Sequence, residues 1–321
     1  MQTSNMSKFV TAEEITMLSS LGILHRLRKD SKIFYVNPDP SIGSDSKNLT
    51  GRNFRSPLLT VGNAITKCTS GNGDFILIQS SGSMLDETDV SINKSDITIA
   101  AMSDVNSATT VWRSSTSPST AHIIIGSSGD NLLIQGLGFS GVDTTAISAA
   151  GGANNVTIRK CNFSDYAACI TTSNGASCAN WVIEDCRFYN ASTVGITGYL
   201  HHGLIRRNQF LNTDNTAWSV AAIKLLDNTT TADSDGCIIK DNLIMGGYSN
   251  VMEVGIYVVA NVIGVGIINN VIGGLCTRSC IVESGISGQL GNSIIGNYGV
   301  DGANGTAEYA DAEVMILGTT T

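Results

Sequence analysis

Carboxylates and aromatic rings gather in one stretch of a charge-poor chain. Asp214, Trp218, Asp227, Tyr248 and Glu253 lie in it, with Asp233 and Asp235 between them. That mixture suits glycan chemistry. Two acidic groups can flank a glycosidic bond as acid and base, and an aromatic face can stack on a sugar ring. Asp214, Asp227 and Glu253 are therefore the catalytic candidates, and Trp218 and Tyr248 the binding candidates. A blander reading competes: long loops fill with polar turn residues whatever the protein does. Aromatic residues make up only 6% of the chain, too few for a rich sugar groove. The loop-filling reading is preferred.

Other chemistry is weaker. Cys276 and Cys280 are close in sequence, but no His lies near them, and His25, His122, His201 and His202 are scattered. No metal site and no cofactor is implied. The eight cysteines (68, 161, 169, 178, 186, 237, 276 and 280) fall largely at apolar positions. They read as buried free thiols of a chain made in a reducing compartment, not as a disulfide framework.

The elements that would position these groups come from a repeat. An apolar anchor is followed three residues later by Asn or Cys, and two after that usually by Phe or Ile. The anchors are Ile134, Ile158, Ile183, Ile205, Ile239, Ile267 and Ile294, spaced 22 to 34 residues apart. A second column pairs a small residue with an apolar one: Ala146-Ile147, Cys169-Ile170, Gly195-Ile196, Ala222-Ile223, Gly255-Ile256, Cys280-Ile281 and, more loosely, Val314-Met315. The runs are too short and β-branched for helices. A coil of this length with two or three short strands predicts an all-β parallel β-helix, its neighbouring coils in register about 4.8 Å apart. Cys161, Cys186, Asn208, Asn242, Asn270 and Asn297 then form one structural ladder, because stacked amides both donate and accept. The residues after the anchors alternate in sign and read as cross-strand pairs.

Around the coils, Thr11 to Glu14 form a capping box that opens a helix over 11–21, read as a plug over the open end of the solenoid or as an anchor. The domain division is 1–32 for this arm and 33–321 for the β-helix. Residues 103–120, with Trp112, read as an insertion or irregular coil. Widened spacing predicts loops at about 211–219, 228–236 and 246–253, and a last excursion spans 299–311. A net charge of −8 argues against a nucleic-acid partner, and no apolar run is long enough to span a membrane. The first residues carry no secretory signal pattern.

One segment carries a family resemblance. Phe34-Tyr35-Val36, Gly43-Ser44-Asp45, Gly51, Pro57, Thr60, Ala64 and Gly73-Asp74-Phe75-Ile76-Leu77-Ile78 resemble the opening of pectate-lyase-like right-handed β-helices. The resemblance implies a strand and a short helix leading into the first coil. It does not fix an activity, since that superfamily hosts lyases, hydrolases, adhesins and viral spikes. The Asn-x-Asp and Asp-Asp dyads its glycan hydrolases tend to carry do not stand in the acidic segments here. With free thiols and no leader, the resemblance implies a bacteriophage virion protein assembled in the host cytoplasm. The expectation is a non-enzymatic homotrimer decorating the capsid beside the major capsid protein, or forming a short spike. A tail-spike depolymerase acting on host glycan and a glycan-binding adhesin are the alternatives.

Overall fold

The protein was analysed as a computed structural model, which describes residues 10–102, 110–113, 115–141, 145–172, 178–212, 218–228, 233–246, 252–274, 276, 280–284, 291–299 and 314–317. Three parallel sheets run the length of the chain, and each full coil adds one strand to each. A representative coil places Thr157–Arg159 in sheet 1, Asn162–Ser164 in sheet 2 and Ala168–Thr172 in sheet 3. The anchors pair in register through sheet 1, with Ile158 between Ile134 and Ile183 and Ile267 between Ile239 and Ile294. The second column pairs in register through sheet 3, from Ile147 to Ile281. Phe139, Phe163, Phe188 and Phe210 align as the core column of sheet 2. Val111–Trp112 belongs to this sheet, so part of the expected insertion is a regular strand.

Among the described residues the turns from sheet 1 to sheet 2 are left-handed, with φ near +55° at Lys160, Asp185, Arg207, Asp241 and Asn269. Asp and Asn tolerate that region; Lys and Arg do so at a cost. The next residue in each turn belongs to the ladder. Asn208 accepts Cys186 N–H at 3.0 Å, Asn242 accepts Asn208 N–H at 3.0 Å, Asn270 accepts Asn242 N–H at 3.0 Å and Asn297 accepts Asn270 N–H at 2.9 Å. On the outer face, Arg206 pairs with Glu184 at 2.7 Å and Arg207 with Asp185 at 2.8 Å. Such half-exposed pairs set register more than they stabilise.

The N-terminal helix α1 (Ala12–Ser20) has its capping box, with Thr11 accepting from Glu14 N–H. It does not plug the solenoid. Leu18 and Ile23 pack on Ile33, Tyr35, Phe75, Leu77, Ala100 and Leu133, the outward residues of sheet 1. The first strands of that sheet are apolar on both faces, so the outer face needs a cover, and the arm supplies it. The open end is closed by α2 (Val61–Lys67), whose Val61, Ala64 and Ile65 enter the main core. The segment resembling β-helix openings builds this closure. A side chain at Gly43 would meet Asn37 O at 2.1 Å. Asp45 accepts from Leu59 N–H, Thr60 Oγ1 and Asn63 Nδ2 at the start of α2. Asp74 ties Lys32 N–H and Thr69 N–H.

Glu87 also accepts at this end, from Val61 N–H at 2.6 Å and Gly62 N–H at 2.7 Å. Burial outweighs these bonds and pushes its carboxyl up to about 7 from an ordinary 4.5. The folded protein therefore holds a proton that the unfolded chain releases. Stability is full below about pH 4.5 and falls as pH rises towards about 7, by up to about 3 kcal/mol. Urea midpoints taken across that window should decline for the native chain, and Glu87→Gln should flatten the decline. An unchanged slope in the variant would assign the pH dependence elsewhere.

Candidate functional site

The long loops expected from the repeat spacing all adjoin sheet 3. Residues 212–220 and 246–253 lead into it, and residues 226–237 lead out of it. The candidate site is thus the outer face of sheet 3 at its strands Ala221–Leu225 and Val254–Val258. Outward positions on a strand alternate, and here they place Lys224 directly beside Tyr257. The Lys224 ammonium lies 5.3 Å from the Tyr257 ring centre, a cation–π contact. Neither residue interrupts the repeat, so the repeat pattern did not flag them. The signal was there: each directly follows the Ile of the second column.

The turns leaving sheet 3 bring a second group together. His201 Nδ1 contacts Asp233 Oδ1, and the His201 and His202 rings lie 3.9 Å apart. Asp235 accepts from Ile263 N–H at 2.8 Å and so fastens the next coil. The His201–Asp233 pair joins consecutive coils, which is why neither residue stood out in sequence. A carboxylate against Nδ1 holds the orientation of the ring. Among the described residues no group of three His, Cys, Asp or Glu side chains is arranged to hold a metal ion.

The sequence candidates separate. Asp214 and Tyr248 lie outside the described residues. Asp227 follows Ala221–Leu225, whereas Glu253 precedes Val254–Val258, and these strands pair in register. The two residues thus flank opposite ends of a five-residue strand, their backbones roughly 15 Å or more apart along it. One glycosidic bond needs a pair about 5–10 Å apart, so Asp227 and Glu253 do not serve one bond together. Trp218 is corrected as a sugar platform. Its ring is fully buried and meets Phe210 edge-on at 6.0 Å, which leaves no face for a ligand. All eight cysteines are buried and none forms a disulfide, and burial pushes the thiols of Cys68 and Cys237 up to about 12. Inert thiols of this kind pack the interior and do no chemistry.

Comparison with solved structures agrees on the architecture. The chain is similar to a rhamnogalacturonan lyase (16% identity, TM-score 0.50), covering 89% of this chain and 67% of that one. It is also similar to tailspike protein 2 of Escherichia coli O157:H7 bacteriophage CAB120 (13% identity, TM-score 0.51), covering 91% of this chain. The fold is a parallel β-helix. At these identities the likeness is one of fold, which hosts many functions. The chain spans 42% of the tailspike's length. No family model and no curated protein sequence matches it. No helix among the described residues is long and apolar enough to cross a membrane.

Proposed function

We propose that the chain is a structural component of a bacteriophage particle, a homotrimeric β-helix that decorates the capsid or forms a short spike. The observation that carries this reading is a change of surface along the solenoid axis. On sheet 1 one outward column runs Gln135, Arg159, Glu184, Arg206, Lys240 and then Ile268 and Ile295. On sheet 2 another runs Asn162, Arg187, Gln209 and then Leu243, Val271 and Tyr298. Sheet 2 turns apolar at Leu243 and sheet 1 one coil later, at Ile268. Ile295 is 59% exposed, Tyr298 42% and Val271 40%, and Ile263 and Met245 are exposed as well. A face meant for water has no reason to lose its charges on two sheets towards one end, and exposed apolar surface there marks an interface. A second and third copy of the chain, packed side by side, would cover it. The fold shared with a tailspike protein supports the particle context.

Light scattering at micromolar concentration should give three times the 33.6 kDa chain mass. Val271→Glu combined with Ile295→Glu should return a folded monomer. A native chain that is already monomeric would remove the main support for this reading. Copy number on purified particles then separates the two placements, hundreds for a decoration protein and few for a spike.

The Lys224–Tyr257 and His201–Asp233 groups favour a second reading, a glycan-binding or glycan-cleaving face on sheet 3. Release of reducing ends or unsaturated products from host surface polysaccharide would establish cleavage. Its loss in His201→Asn would then replace the structural reading with an enzymatic one.

A further inference from the structure

The N-terminal arm meets the solenoid in a polar cleft of about 290 Å³, lined by His25, Arg26, Arg28, Gly73, Asp96 and Asn131. The first three come from the arm. The last three come from turns that enter successive strands of sheet 1. Arg159 stands beside them and donates to Gly22 O at 3.0 Å.

Guanidiniums outnumber carboxylates on the lining of this cleft. Arg28 pairs with Asp96 at 2.6 Å. Arg26 donates to a neutral acceptor, Asn131 O, and Arg159 to Gly22 O and Gln135 Oε1. Among the described residues neither has a carboxylate within ion-pair distance. The nearby Asp74 and Asp130 carboxylates are held by backbone N–H groups, of Lys32 and Thr69 and of Asn154. Two guanidiniums, Arg26 and Arg28, therefore line the cleft with Arg159 beside them, against one lining carboxylate, Asp96. Half-buried guanidiniums without an anion are costly, because carbonyls offset only part of the lost hydration. Burial depresses the His25 imidazole, and Arg159 and Arg26 depress it further. An anion in the cleft would relieve that crowding. Guanidiniums recognise oxyanions by forked, charge-assisted bonds.

We propose that this cleft binds an oxyanion (a phosphate or sulfate, or the carboxylate of an acidic sugar) and that the bound anion clips the arm to the first coils. The arm supplies two of the cations and the solenoid supplies the walls, so the anion bridges the two.

Calorimetric titration of the full chain with inorganic phosphate, sulfate and galacturonate, at constant ionic strength in chloride, tests this. Saturable binding of at least one at millimolar concentration is expected. Phosphate and sulfate without galacturonate would identify a tetrahedral anion, and galacturonate alone a sugar acid. Arg28→Gln should weaken binding roughly tenfold or more. That variant also disturbs the arm, so the deciding one is Asp96→Asn, which removes the only carboxylate lining the cleft. Asp96 has φ +59°, a conformation Asn adopts readily. Its binding should tighten, whereas a purely structural role for these groups predicts no gain. No saturable heat with any of the three anions, or weaker binding by Asp96→Asn, would overturn the proposal.

Discussion

Asn242→Ala should cost about 3–5 kcal/mol of stability, because one side chain serves three neighbours. Its Oδ1 accepts the Asn208 N–H at 3.0 Å and the Asn208 Nδ2 at 3.1 Å. Its Nδ2 donates to Ile205 O at 3.0 Å and to Asn270 Oδ1 at 2.9 Å. Alanine leaves all of these groups buried where no water reaches them, and each orphan costs on the order of 1–3 kcal/mol. Cysteine is the informative second substitution. In this column Cys186 directs its thiol at Glu184 O (3.3 Å) and Ile158 O (3.6 Å). A thiol can therefore serve the carbonyls but not the Asn208 N–H, and Asn242→Cys should fall between Asn and Ala. Urea denaturation measures the loss. Hydrogen exchange should place it in the coils either side of residue 242, since a solenoid transmits a lesion only through neighbours. A loss below about 1 kcal/mol for Ala would mean that the turn relaxes and re-pairs its amides.

What the sequence could and could not convey follows from where each signal lives. Registers through sheets 1 and 3 were legible because in-register stacking forces one residue type to recur at Ile134, Ile158 and Ile183, and at Ile147, Ile170 and Ile196. The small residue before each second-column Ile was legible as a pattern, but its cause was not. A side chain at Gly195 would lie 2.9 Å from the Phe210 ring, and one at Gly255 2.7 Å from Ile272. Sheet 2 rings reach across the interior, and sheet 3 must make room. That α1 covers the outer face of sheet 1 was not legible, because amphipathicity says that a helix covers something, not what. The clue was Ile33 to Val36, buried at all four positions, which requires cover on both faces. The sheet 3 site was half legible. Stretched spacing located the loops, but Lys224 and Tyr257 occupy ordinary outward positions, and the His201–Asp233 contact exists only once two coils stack.

Phe188→Ala should be the most damaging single change in the apolar interior, at about 3–5 kcal/mol. Phe188 is stacked on Phe163 with ring centres 4.9 Å apart and on Phe210 at 4.5 Å, with planes within 9° of parallel. The stack continues to Phe139 at 5.1 Å from Phe163, and Trp112 caps it at 6.0 Å. Deleting a middle ring removes two stacking contacts and opens a cavity that hydrogen-bonded strands on every side cannot close. Phe188→Ile separates the two losses. The same column holds Ile at 244 and 272, so the backbone accepts that shape. Isoleucine fills most of the volume and forfeits only the stacking, so about 1–2 kcal/mol is expected. Equal losses for Ala and Ile would mean that stacking, and not filled volume, holds these coils together. The same measurement bears on the proposed role. A structural particle protein needs a stiff body, and in this chain stiffness rests on two columns that overlap at the Asn208–Phe210 coil, rings across the interior up to it and amides at the turn from it onward. If the double variant with Asn242→Ala loses more than the sum of the single losses, the two columns act as one cooperative unit.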